Sequence, residues 1–443
     1  MASSIKRYAV VGTGGRAVMF IDPLVSRFQA DGVLVALSDV NPQRLEYHNE
    51  RLGRLFNHPR VPTYAASDFD RMIQETKPDV VIVCTVDAYH HQYAIRAMEL
   101  GCDVVTEKPM TIDDEKCRAM LDAVKRTGRK LRVTFNYRWG PGPTQVKQLL
   151  SSGAIGQIIS ADMEYLLNTS HGADYYRRWH REKDKSGGLM VHKSTHHFDL
   201  VNWWLDAVPQ TVFGFGRLAF YGRANAEARG VKVNYDRYTG ADTTNDPFAL
   251  KLDSADSLKA LYLDAEKHDG YQRDRNVFGD NITAEDTMSV LVKYRTGVTL
   301  TYSLNAFLPR EGFHIAFNGT KGRLEYEEHH GSHLIAGQSD AELAKEMHWG
   351  KKLTVQPLFG PAQEIPIVEA EGGHGGGDPL IQEQIFSSNP PKELWGRNAS
   401  QGQGAASILI GIAANKSFAS GNPVQINEIC PQLGDAKKLS DLP

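Results

Sequence analysis

Apolar and polar positions alternate between two textures in the first third of this chain. Residues 8–11, 34–38, 80–84, 103–106 and 131–135 form short, nearly continuous apolar runs, as expected of strands buried on both faces. Between them, residues 17–27, 42–55, 92–100 and 113–127 carry helical periodicity, the last two closed by Gly101 and Gly128. Strand and helix in turn predict a doubly wound parallel sheet over residues 1–136. Past Arg138 the texture changes. Residues 144–152 and 194–205 read as helices, and 158–166 alternates like a half-buried strand. Residues 289–294 and 298–302 form a hairpin about Gly297, followed by a strand at 314–318 and a helix at 405–418. The change of texture, in a chain of 443 residues, predicts a second domain over 137–443. Residues 217–281, long and polar with a charged run at 264–275, read as a solvated insertion in preference to a functional lid.

The turn after the first run, Gly12-Thr13-Gly14-Gly15-Arg16-Ala17, has the spacing of a dinucleotide fingerprint with alanine last. Gly12 permits the tight turn, Gly14 leaves room for a pyrophosphate, and Ala17 lets the helix lie close to the strand. The unpaired amides of the first helical turn face the phosphates. Asp39, at the carboxyl end of the second run, is placed to accept hydrogen bonds from an adenosine ribose and to repel a 2′-phosphate. NAD is therefore expected over NADP, with Arg44 softening the preference.

Composition narrows the partners. A formal net charge of -3 gives no electrostatic attraction to nucleic acid or acidic membranes. No apolar run approaches bilayer length, and the first strand begins too soon after Met1 to leave room for a secretory signal. Cys84, Cys102, Cys117 and Cys430 lack metal-ligand spacing and suggest reduced thiols, so the cytoplasm is the expected compartment.

Ligands of such sheets bind beyond the carboxyl ends of the strands, where Thr85, His90, Glu107, Lys108, Asn136 and Tyr137 fall. An ammonium at Lys108 is placed to bond a reacting oxygen, although position alone favours a surface lysine paired with Glu107. The segment His192-Lys193-Ser194-Thr195-His196-His197-Phe198-Asp199 crowds basic groups onto little more than two turns. If helical throughout, it puts His192, His196 and Asp199 on one face. A general base is favoured there over helix-start polar groups, and over a metal held by His192 and His196, because HxxxH alone is a weak metal signal.

These pieces resemble the glucose-fructose oxidoreductase / inositol dehydrogenase / rhizopine catabolism (Gfo/Idh/MocA) family over nearly the whole chain. The match rests on the glycine turn, Thr85 with His90, Glu107-Lys108-Pro109, Trp179-His180, and the His192–Asp199 segment. It extends to Gly373-His374-Gly375-Gly376-Gly377-Asp378 and the terminal helix. The resemblance implies a Rossmann NAD-binding domain followed by a C-terminal α/β domain built on a large, mostly antiparallel open sheet that often forms an oligomer interface, hence a homo-oligomer, dimer or tetramer. It also implies NAD(P) and a sugar or cyclitol hydroxyl as the reacting group. The family's lysine falls on Lys108 and its catalytic histidine on His196. Members commonly carry an aspartate where this chain has His192, so a carboxylate is expected to be missing from the site. The insertion is longer than a minimal member needs and is expected to cover a larger glycoside.

The resulting expectation is a sugar, glycoside or cyclitol dehydrogenase acting on a secondary hydroxyl, such as the 3-position of a pyranoside. His196 is its base, Lys108 bonds the same oxygen, and His192 assists. Cofactor contacts are expected from Gly12, Thr13, Gly14, Gly15, Arg16, Asp39, Arg44, Thr85, His90, Glu107, Asn136 and Trp179. Substrate contacts are expected from Lys108, Tyr137, Arg138, Lys193, His197 and Asp199, with no metal. The rivals are a redox-neutral glycoside hydrolase using the same site, and a non-catalytic nucleotide sensor.

Overall fold

Strand β1 (Lys6–Val11) is buried over its last four residues and lies between β2 (Gly32–Asp39) and β4 (Val80–Val83), parallel to both. The computed structural model describes residues 5–331, 350–368, 370 and 373–443; Gly372 of the glycine cluster lies outside them. Strands β3 (Thr63–Ala65), β5 (Asp103–Thr106) and β6 (Leu131–Val133) extend the sheet on both sides. Helices α1 (Val18–Val25), α2 (Pro42–Phe56), α3 (Phe69–Thr76), α4 (His90–Glu99) and α5 (Asp114–Thr127) alternate with the strands. Cap chemistry sets several ends: Asn41 accepts from the Gln43 amide ahead of Pro42, and Asp113 accepts from the Lys116 amide. Gly128 closes α5 in the left-handed conformation. The Rossmann-type sheet is therefore present, with β3 and α3 added between the second and third apolar runs.

Among the described residues the second sheet has nine strands. After helix α6 (Pro141–Ser151), strand β7 (Ile158–Asn168) sits near its centre, and α7 (His171–Arg177) follows directly. Strands β8 (Pro209–Arg217), β9 (Thr287–Tyr294), β10 (Thr299–Leu308), β11 (Glu311–Gly319), β12 (Gly322–Gly331) and β13 (Gly350–Pro357) pair antiparallel, except that β10 runs parallel to β7. The alternating burial of β9 leaves one face of the sheet covered and one open.

The helix Gln401–Ser420 joins the halves. It packs on β8, β6 and α5, and its glycines set the spacing: a Cβ at Gly411 would meet the Met190 carbonyl oxygen at 2.2 Å. That contact fixes the turn carrying His192. The region between β8 and β9 is not a solvated excursion. Leu252, Leu261, Ala265 and Val277 are all at most 3% exposed, and its segment Lys259–Leu263 lies against α2 of the first sheet. The reading of this insertion as solvated is therefore corrected: apolar residues spaced among its charges seat it on the nucleotide-binding half.

Candidate active site

The loop after β1 turns at Gly12 with φ +84°, and a Cβ there would stand 2.6 Å from the Cys84 carbonyl carbon and the Thr85 amide. Only glycine allows the ends of β1 and β4 to approach this closely. A Cβ at Gly14 would meet nothing within 4 Å, so the space beyond it is open for a phosphate. Asp39 is buried and holds the loop: its Oδ2 accepts from the Thr13 amide (2.6 Å) and hydroxyl (3.0 Å), and its Oδ1 from the Asn41 amide (2.8 Å). These residues fit a dinucleotide at this turn.

The insertion forms a strap over this end of the site. The Gly15 amide donates to the Tyr262 hydroxyl at 3.4 Å, and Asn41 Nδ2 donates to the Ala265 carbonyl at 2.9 Å. Arg44 Nε donates to the Leu261 carbonyl at 3.1 Å, while its Nη1 pairs with Asp269 at 2.8 Å and Asp39 at 3.5 Å. Arg44, expected to soften the repulsion of a 2′-phosphate, thus faces two carboxylates. The strap covers the nucleotide end, where the sequence had suggested cover for a glycoside.

At the far end of the loop, Arg16 donates to Glu107 Oε1 at 2.8 Å, and Glu107 Oε2 accepts from the Lys108 amide at 3.1 Å. Asn136 donates to Asp378 Oδ1 at 2.8 Å. His90 is buried with Nδ1 2.8 Å from the Pro109 carbonyl oxygen and Nε2 3.0 Å from that of Thr85. It is a brace between two loops, since neither ring nitrogen faces the open site. The Lys108–Pro109 bond is cis.

Lys108 reaches across to the second half of the chain. Its Nζ donates to the His192 carbonyl at 3.1 Å and lies 3.5 Å from His192 Nε2. His192 Nδ1 in turn donates to Asp87 Oδ2 at 2.5 Å. Asp87 comes from the loop after β4, so the carboxylate absent from position 192 is supplied by the nucleotide-binding half. Burial pushes the Asp87 carboxyl well up and the His192 imidazole well down, the latter helped by Lys108 and Arg178. Burial also lowers Lys108 to about 8, partly countered by Asp87 and Glu107. Lys108 and His192 are only partly buried, which leaves both within reach of a ligand. Trp179 stacks on His180 (3.6 Å between centroids), and both rings stand edge-on to His192.

The segment after His192 is not one regular helix. Leu189–His192 ends at Lys193, and a second helix runs Ser194–Leu205. His196 stacks on Tyr137 with centroids 4.2 Å apart, and Lys193 Nζ donates to the Tyr137 hydroxyl at 3.4 Å. Burial lowers Lys193 to about 8. Three expected sugar contacts are withdrawn. Arg138 and Asp199 form a two-bond ion pair at 2.7 and 2.5 Å, with side chains 0% and 1% exposed, and Ser407 also donates to Asp199. His197 is fully buried, stacked on Tyr165, with Nδ1 2.7 Å from the Tyr302 hydroxyl. All three lack exposed surface for a sugar.

A family model described as an oxidoreductase family NAD-binding Rossmann fold matches residues 6–135, and one described as its C-terminal alpha/beta domain matches 147–426. The chain belongs to the Gfo/Idh/MocA oxidoreductase family. YteT of Bacillus subtilis (strain 168), named as an oxidoreductase, is 34% identical over 435 residues, 96% of this chain and 99% of that protein. The D-glucoside 3-dehydrogenase of Escherichia coli (strain K12) is 29% identical over 163 residues, 36% of this chain and 42% of that protein. Among solved structures, the aldose-aldose oxidoreductase of Caulobacter crescentus, complexed with glycerol, superposes with a TM-score of 0.61. It is 17% identical and covers 95% of this chain and 99% of that one; at that identity the likeness is one of fold. This Gfo/Idh/MocA chain is thus an NAD-binding oxidoreductase with sugar-dehydrogenase relatives.

Two site residues escaped the sequence reading. Asp87 lies just beyond a strand's carboxyl end, so the rule that selected Thr85 and His90 applied to it equally. Tyr262 carried no signal, because only the folding of the insertion brings it to Gly15.

Proposed function

We propose that this protein moves hydride between a secondary carbohydrate hydroxyl and NAD, with Lys108, His192 and Asp87 handling the proton. The observation that carries the reading is the chain of contacts Lys108 Nζ–His192 Nε2–His192 Nδ1–Asp87 Oδ2, at 3.5 and 2.5 Å, spanning the two halves of the chain. The bound nicotinamide supplies the hydride acceptor. Lys108 bonds the reacting oxygen and stabilises its developing negative charge. Neutral His192 receives the hydroxyl proton at Nε2, and Asp87 holds the ring by Nδ1–H and stabilises the imidazolium. We place the proton acceptor at His192, in place of the expected His196, because His192 has both the carboxylate and the contact with Lys108. His196 and Tyr137 then form a stacked wall of the sugar site. NAD over NADP is supported by Arg44 sitting between Asp39 and Asp269.

The test is Lys108→Met, assayed for NADH formation across monosaccharides, glycosides and inositols. Loss of turnover with NADH binding retained is expected; turnover within about fivefold of the parent would overturn the assignment. The strap across the phosphate loop favours a second reading, the redox-neutral glycosidase. Retained cofactor suits transient oxidation, elimination, water addition and re-reduction. An aryl glycoside releasing phenol without NADH accumulating identifies that cycle.

A further inference from the structure

Asp174, on α7, is shared by three guanidiniums. Arg273 Nη2 approaches it at 2.8 Å, Arg178 Nη1 at 3.3 Å and Arg177 Nη1 at 3.4 Å. Arg177 also donates through Nε to the Phe248 carbonyl at 2.9 Å. The other two have bonding capacity left over. Arg178 Nε, and Nε and Nη1 of Arg273, are buried without a hydrogen-bond partner among the described residues, as is the nearby Tyr271 hydroxyl. Arg273 is 8% exposed. Buried guanidinium N–H groups left unpaired are costly, and adjacent like charges add to the cost. Three cations sharing one carboxylate leave a surplus of two positive charges among the described residues of this cluster.

The cluster lies beside the site. Arg273 stacks over the Tyr262 ring (5.6 Å), whose hydroxyl meets Gly15. Arg178 immediately precedes Trp179, which stands edge-on to His192 at 5.9 Å. The two arginines beside the phosphate loop are each matched: Arg16 by Glu107, and Arg44 by Asp39 and Asp269. The surplus belongs to α7 and the insertion, on the His192 side.

Resting on the carbohydrate reading above, we propose that Arg178 and Arg273 form an oxyanion subsite for a carboxylate borne by the substrate, so that the preferred substrates are acidic sugars such as uronic acids or uronides. The cofactor's pyrophosphate presents the same oxyanion chemistry, and the experiment separates the two.

Matched neutral and acidic pairs, a glucoside with a glucuronide and a galactoside with a galacturonide, are compared by kcat/KM for the parent, Arg273→Gln and Arg178→Gln. NADH affinity is read in parallel by fluorescence titration. A preference for the acidic member on the order of 30- to 100-fold is expected, collapsing in either variant while NADH affinity changes less than about threefold. Equal use of neutral and acidic members by the parent overturns the proposal and leaves the dehydrogenase reading intact. Loss confined to NADH affinity assigns the arginines to the pyrophosphate and also overturns it. Should the variants fail to fold, the parent with NADH decides: glucuronate or galacturonate must raise the melting temperature where glucose and galactose do not. That thermal arm still reports on the subsite if no carbohydrate changes the redox state of the cofactor, a result that sinks the dehydrogenase reading alone.

Discussion

Replacing Asp87 by Asn tests the relay at its carboxylate. Asparagine keeps an oxygen that can accept from His192 Nδ1–H, so the neutral tautomer survives and the geometry changes little. What disappears is the negative charge 2.5 Å from that nitrogen, which matters only once the imidazole has taken up a proton. Two views of that single contact give similar magnitudes: a charge-assisted hydrogen bond contributes about 1.5–3 kcal/mol, and opposite charges about 4 Å apart interact by about 4 kcal/mol at an effective dielectric near 20. A loss of about 3 kcal/mol corresponds to a fall in kcat/KM on the order of 10²-fold. The pH profile carries a sharper signature. Asp87 raises Lys108, which stands at about 8, and it also favours the protonated form of His192. Removing the anion lowers both groups, so the acid and alkaline limbs of kcat/KM should move together to lower pH. A loss of packing alone moves neither limb. Initial rates of NADH formation across the neutral range, with NADH affinity measured separately, make the check. A kcat/KM within about threefold of the parent and unshifted limbs would refute the relay.

Two further outcomes follow from pairs already described. Asp269→Ala releases Arg44 from one of its two carboxylates; NADP use relative to NAD should rise by roughly tenfold, read as the ratio of kcat/KM values for the two cofactors. Arg138→Met leaves the Asp199 carboxyl without its cation in a fully buried place and should cost about 3–5 kcal/mol. Denaturant unfolding should show Arg138→Met/Asp199→Leu recovering part of that loss, whereas a double variant no more stable than the single one contradicts the ion-pair account.

The first sheet was legible because its strands are buried on both faces and separated by helices with recognisable caps, so Val80–Val83 and Asp103–Thr106 stand out as apolar runs. Strand β3 and helix α3 were not, since three residues such as Thr63–Ala65 are too short for a period to register. In the site, local order was readable and distance was not. Lys108 and the histidine segment were found by type and position. Helical spacing grouped His192 with Asp199, yet Asp199 turns to Arg138 and the carboxylate at His192 comes from 105 positions earlier in the chain. Charge misled in the insertion: its acidic and basic run suggested solvent, but Asp269 pairs with Arg44 and Arg273 with Asp174. Ion pairing across the fold has no local signature.

The strap stands in the way of cofactor exchange. Tyr262, Leu261, Ala265 and Asp269 bond to Gly15, Arg44 and Asn41, at distances between 2.8 and 3.4 Å. A nucleotide seated under Tyr262 leaves only if at least part of this set opens. At about 1 kcal/mol net for each neutral bond, and somewhat more for the charged one, opening costs on the order of 3 kcal/mol, enough to slow release roughly 10²-fold. Tyr262→Ala/Asp269→Ala removes two of the four contacts and should speed NADH release by about tenfold in a stopped-flow displacement followed by NADH fluorescence. Release unchanged in that variant means that the strap does not gate the nucleotide. Comparison of the parent's release rate with its turnover of an aryl glycoside then decides the net reaction. Release slower than turnover requires that the hydride taken from one sugar return to a sugar before the cofactor departs. Release faster than turnover permits a dehydrogenase that yields one NADH per cycle.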